Sequence, residues 1–139
     1  MEVFAEYSRA IVSLALFALI TLGLSPMAGV ARNRAGVAAG ALPKEDYANR
    51  DFRICRAYQN AAESLGAFAA VIAAAILAGA APFWVNLFAS LAVLSRLIMV
   101  FVHIQGYGVG KEPGPRTMLY VFGWLMMLLL ALMAIGAAF

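Results

Sequence analysis

Four stretches of this chain are apolar for the length of a bilayer crossing, and this limits the possible folds more than any other feature. A hydrocarbon core of roughly 30 Å takes about 20 helical residues. The first stretch runs from about Ala10 to Ala31, opened by Arg9 and closed by Arg32 and Arg34, and Pro26 is expected to kink it. The second begins as a polar helix near Asp51, is wholly apolar from Leu65 to Ala80, and ends at Gly79-Ala80-Ala81-Pro82. The third covers Phe83 to Ile104 and the fourth Tyr120 to Ala138. Composition agrees, because 12% of residues are charged and 65% hydrophobic, whereas a soluble domain is about a quarter charged. One Cys and five Pro exclude a disulfide-stapled module and a collagen-like or disordered chain. The expectation is a single domain over residues 1–139, an all-α integral membrane four-helix bundle.

An apolar N-terminal run can also be a cleaved signal. Here Glu2 and Glu6 stand against one Arg9, the run is too long, and no small-x-small site ends it, so a retained helix is the better reading. The net charge of +3 matters less than its placement. Eight of the ten Lys and Arg are Arg32, Arg34, Lys44, Arg50, Arg53, Arg56, Lys111 and Arg116. They lie in, or face, the loops from Gly36 to Asn49 and from Gly106 to Pro115. The positive-inside rule then puts both loops in the cytoplasm and both termini on the opposite side. The basic balance therefore points to a membrane and not to nucleic acid.

Ionisable groups inside a span are costly and call for a partner or a function. Arg53, Arg56, Asn60 and Glu63 follow offsets of three, four and three, and so fall within an arc of about 80° on the second helix. An internal ion-pair ladder is the bland reading of that stripe. On the third span Arg96, His103 and Tyr107 share a face, and Arg96 is expected to pair with Glu63 or reach a wet cavity. Arg116 and Tyr120 lie one turn apart at the start of the fourth, with Thr117 beside Arg116. Together with Arg32 and Arg34, these groups come from four helices at one depth. Arginine donors in that number suit a ligand with several carboxylates. One His and one Cys are too few for a zinc site, so no metal is expected. Gly106-x-Gly108-x-Gly110 reads as a loop, Cys55 as inert, and the Met run of the fourth span as packing. The Ala-rich face with Ala69, Ala73 and Ala74 permits close helix packing and self-association.

The elements Arg53-x-x-Arg56-Ala-x-x-Asn60-x-x-Glu63, His103-x-x-x-Tyr107 and Arg116-Thr117-x-x-Tyr120 resemble those of the MAPEG family, the membrane-associated proteins in eicosanoid and glutathione metabolism. The pattern is most similar to its microsomal glutathione transferase and prostaglandin E synthase members. The resemblance implies a homotrimer with glutathione, as co-substrate, bound between subunits near the cytoplasmic face. It further implies that Arg32, Arg56, Asn60, Glu63, His103 and Tyr107 bind glutathione, and that Arg116, Thr117 and Tyr120 act at its sulfur. Tyr58 and Gln59 stand where the prostaglandin synthase members carry His and Arg, and Val100 stands where an Arg is usual.

A thiol must ionise to attack, and its ordinary pKa is about 8.5. Arg116 near the sulfur favours the anion, and Thr117 and Tyr120 supply hydrogen bonds. The expected activity is a glutathione-dependent transferase or peroxidase acting on a hydrophobic electrophile or lipid hydroperoxide from the bilayer. Two competitors differ in class: a non-catalytic lipid-binding protein on the same scaffold, and a small transporter using Glu63, Arg96 and His103. No inverted repeat supports the transporter.

Overall fold

The computed structural model describes residues 2–139, and every described element is helical. A single turn, α1 (Glu2–Ala5), precedes four long helices: α2 (Ser8–Arg34), α3 (Arg50–Leu77), α4 (Pro82–Gln105) and α5 (Pro115–Ala137). All four are long and apolar enough to cross a membrane, with window hydropathies between 1.7 and 2.4. In lipid the backbone has no water to bond, so such runs satisfy their own N–H and C=O groups as helix. The helices extend beyond the apolar runs at their centres. α2 starts at Ser8 and carries on through Pro26 to Arg34 without a break, although proline withdraws one backbone donor. α5 starts five residues before Tyr120, at Pro115, where the fixed φ of proline suits a first helical turn.

The ends of the helices are set by local chemistry. Asn49 caps α3, its side chain accepting from the Asp51 N–H at 2.8 Å. Gly106 ends α4 in the left-handed region at φ +80, where a side chain would be strained. A tight turn joins α3 to α4, and Tyr7 fastens the start of α2 to it, donating its hydroxyl to the Ala80 carbonyl at 2.6 Å. Asn86 adds a second tie there, accepting from the Ala10 N–H and donating to the Glu6 carbonyl. The loops over residues 35–49 and 106–114 therefore share the other end of the bundle.

α2 packs on α3 and α4, α3 also on α4 and α5, and α4 on α5. The buried seam centres on Phe17 and Phe68, whose ring centroids are 5.0 Å apart, with Ile72, Val85 and Leu130 around them. Alanines at 28, 31, 61, 75, 89 and 92 are almost fully buried and let the backbones approach. Since lipid is as apolar as these side chains, close van der Waals fit holds the helices together more than water exclusion does. Leu19, Leu22, Leu77, Leu94, Phe101 and Leu132 point outward, as a lipid-facing surface requires.

Candidate functional site

The polar stripe of α3 divides, because its members turn to different partners. Arg53 is buried and fully occupied by backbone. Its Nε and Nη2 donate to the Ile104 carbonyl at 3.2 and 3.1 Å, and its Nη1 donates to the carbonyls of Tyr47 and Ala48 at 2.8 and 2.7 Å. It ties the 35–49 loop to the end of α4. Arg56 donates to Gln59 Oε1 at 2.8 Å, and Gln59 donates to Glu63 Oε1 at 2.9 Å. The amide relays between cation and carboxylate, so the ion-pair ladder that was the bland reading of this stripe does not form. Among the described residues the one ion pair is Arg34 with Asp51 at 3.6 Å, near the helix ends.

Arg96 is only 3% exposed and does not reach Glu63. Its Nη1 donates instead to Asn60 Oδ1 and, at 3.8 Å, to Met99 Sδ. Its guanidinium lies between two rings, 5.7 Å from the centroid of Phe17 and 5.0 Å from that of Tyr120. The expected partner was wrong because Asn60 lies one helical turn closer than Glu63 along the same face of α3. Arg96 thereby supports two side chains of the site, Asn60 and Tyr120.

Seven of the nine residues expected at the site line one cavity of about 290 Å³: Arg56, Asn60, Glu63, His103, Arg116, Thr117 and Tyr120. Ala57, Met99 and Val100 complete its wall. α3 supplies the first three polar groups, the end of α4 supplies His103, and the first turns of α5 supply the rest. The unpaired N–H groups of that first turn add positive potential to the one set by Arg56 and Arg116. Thr117 donates its hydroxyl to Glu112 Oε2 at 3.0 Å, so its proton is engaged by the neighbouring loop. The Tyr120 hydroxyl makes no hydrogen bond among the described residues and is the free hydroxyl of the set.

The other two residues lie elsewhere. Tyr107 is exposed and lines a second cavity of about 340 Å³ with Tyr47, Lys111 and Gly108, Gly110 and Gly114 of the 106–114 loop. His103 and Arg116 border both cavities. Arg32 lies on the far side of α3, in a third cavity of about 480 Å³ with Leu42, Tyr58, Gln59 and Glu63. It donates to the Ala41 carbonyl at 2.8 Å and sits 5.6 Å from the Tyr58 ring. Glu63 alone of the expected residues faces both sides of α3.

Sequence reasoning did not select Gln59 or Tyr47 for the site. The helical offsets of Gln59 from Arg56 and Glu63, three and four, carried the signal. Nothing in the periodicity marked Tyr47, a loop residue. Among the described residues no group of His, Cys, Asp and Glu is placed to hold a metal, and Cys55 is buried against the Ala28 carbonyl.

No curated protein and no solved structure matches the chain. The model of the MAPEG family matches residues 10–136, nearly the full length of the four long helices. On that match, which covers most of its length, the chain is a multi-pass membrane protein belonging to the MAPEG family.

Proposed function

We propose that this protein is a glutathione-dependent membrane transferase or peroxidase that ionises the glutathione thiol for attack on a hydrophobic electrophile or lipid hydroperoxide. The MAPEG family includes glutathione transferases and peroxidases. The observation that carries the reading is the convergence of Arg56, Asn60, Glu63, His103, Arg116 and Tyr120 on one cavity. Glutathione presents two carboxylates and one ammonium, and this cavity offers two guanidiniums and one carboxylate. Arg56 and His103 bind the carboxylates with Asn60 beside them, Glu63 binds the ammonium, and Arg116 faces the sulfur.

Lowering the thiol's pKa enough for a hundredfold gain in its acid dissociation constant requires about 2.7 kcal/mol of preference for the anion. One arginine and one hydroxyl in a partly dry site supply that amount. Tyr120 is the hydroxyl, since that of Thr117 is engaged by Glu112. In conjugation the sulfur lone pair forms the C–S bond as the leaving group departs or the electrophile's π electrons move on to a proton. In peroxide reduction the thiolate takes the terminal oxygen, the lipid alcohol leaves with a proton, and a second glutathione converts the sulfenic acid to disulfide and water.

The reading includes a homotrimer with the thiol site between subunits. Arg32 supports it, since one chain holds this arginine on the face of α3 opposite the main cavity. It also includes cytoplasmic placement of both loops, which the concentration of basic residues there supports.

The test is a titration of detergent-solubilised protein with glutathione near neutral pH. The wild type is expected to give the ultraviolet difference absorbance of a thiolate. Arg116→Ala is expected to lose it while calorimetry still records glutathione binding. Binding lost with turnover normal at saturation would remove Arg116 from the sulfur. A non-catalytic binding protein of the same family is the second reading, favoured by the engagement of Thr117 with Glu112. It requires lipid binding with no thiolate in the wild type.

A further inference from the structure

We propose that Tyr47 is a positioning residue that holds the Arg116 guanidinium at the boundary between the two cavities, a role resting on the reading that Arg116 faces the thiol. Arg116 is the cation both cavities share, and its Cζ lies 5.4 Å from the centroid of the Tyr47 ring. Among the described residues it has no carboxylate within ion-pair distance and no side-chain hydrogen bond. The ring is what holds it.

A ring face is suited to this task in a way a carboxylate is not. The aromatic quadrupole attracts the cation through its flat side, which leaves the N–H donors around the guanidinium edge free for an incoming anion. A carboxylate partner would occupy those donors and cancel the charge that the thiolate needs.

The ring is itself fixed from three directions. Phe52 meets it edge-on at 5.1 Å and 82°, and His103 lies 6.1 Å away. The backbone beneath it is held by Arg53, which takes up the carbonyls of Tyr47 and Ala48 and, through Ile104, the end of α4. The 35–49 loop is therefore a strap that crosses the bundle's end and places one aromatic face against the cation of another helix. Of these two cavities Tyr47 borders only the second, so it can act on the thiol solely through Arg116 and His103.

The experiment compares full-length Tyr47→Phe, Tyr47→Leu and Tyr47→Met with the wild type in detergent micelles. The first readout needs no ligand: the Arg116 Nε–Hε resonance, assigned by its disappearance in Arg116→Lys. In the wild type it is expected to be displaced by the ring current, retained in Tyr47→Phe, and moved towards the position of a free arginine in the two ring-less variants. The second is the pH midpoint of the glutathione thiolate absorbance, with kcat and KM. Loss of the ring is expected to reduce the thiol's acid dissociation constant and kcat about tenfold, with KM for glutathione changed less than about twofold, while Tyr47→Phe stays near wild type.

An undisplaced resonance in the wild type overturns the proposal even if the ring-less variants fail to fold. Unchanged resonance and midpoint in Tyr47→Leu or Tyr47→Met overturn it too, as does Tyr47→Phe as impaired as Tyr47→Leu. Should the resonance behave as expected while the wild type forms no thiolate, the ring's hold on Arg116 stands and the glutathione reading fails.

Discussion

Arg96 shows how one side chain can keep a full charge inside a membrane bundle without an acid beside it. Its guanidinium has an amide oxygen at one edge, a thioether at another, and an aromatic ring on either side. Each contact is weak alone, and Asn60 supplies its one oxygen acceptor. Asn60→Leu should therefore lower stability by about 1.5–3 kcal/mol, the range for a hydrogen bond to a charged group, read as a fall in thermal midpoint in detergent. Adding Arg96→Met should restore part of the loss, because the charge that lacks an acceptor is then gone. The sequence marked Arg96 as needing a partner, since a charge in an apolar run stands out. It did not reveal which one, because Asn60 and Glu63 share a face and the choice depends on how far α3 and α4 are offset along their axes.

Of the helical glycines, Gly123 is the one that α4 approaches closely enough to leave no room for a side chain on α5. A Cβ built there would lie 2.4 Å from Ser95 Oγ, which donates to the Ala92 carbonyl at 2.8 Å. Gly123→Ala should destabilise by about 1–3 kcal/mol through overpacking. Ser95→Ala in the same chain should recover most of that, since the remaining neighbours are at ordinary contact distance. Thermal unfolding of the two single variants and the double variant completes the cycle. The length, order and apolar character of the helices were legible in the sequence, because lipid demands long runs and the runs are there. Their pairing was less so: Gly123 sits among bulky residues with no periodic mark, and of the Ala-rich face read on α3, Ala73 and Ala74 are exposed while Ala57, Ala61 and Ala75 are the alanines buried in the bundle. Of the site, the contributions of α3, α4 and α5 were readable from offsets of three and four. Arg32 and Tyr107 were not separable from them, since spacing along one helix says nothing about which side of a neighbouring helix a group will face. Tyr47 lay in a loop, where no period exists to read.

For the molecule as a whole, the two crossings between the long loops put both loops on one face of the membrane, and the single crossing of α5 puts the C-terminus on the other. The positive-inside reading makes the loop face cytoplasmic. In a Cys55→Ala background, a maleimide that does not cross membranes should label Glu45→Cys and Lys111→Cys from the cytoplasmic face alone. It should label Phe139→Cys from the opposite face alone. Labelling of Glu45→Cys and Phe139→Cys from the same side would contradict four crossings. The cavity at the loop end would then open toward the compartment that supplies a soluble polyanion, while the outward leucines and Phe101 meet the lipid.

The knot at Arg53 also bears on how the protein comes into being during translation. This arginine emerges from the ribosome early, yet one of the three carbonyls that engage it belongs to Ile104, fifty-one residues later. Arg116, which the Tyr47 ring contacts, follows later still. A nascent chain with only its first two crossings in the bilayer has Arg53 tied to its own loop at Tyr47 and Ala48, but not yet to α4. The pocket is thus assembled last, after the final helix has begun to enter, because α5 supplies Arg116, Thr117 and Tyr120 to its wall.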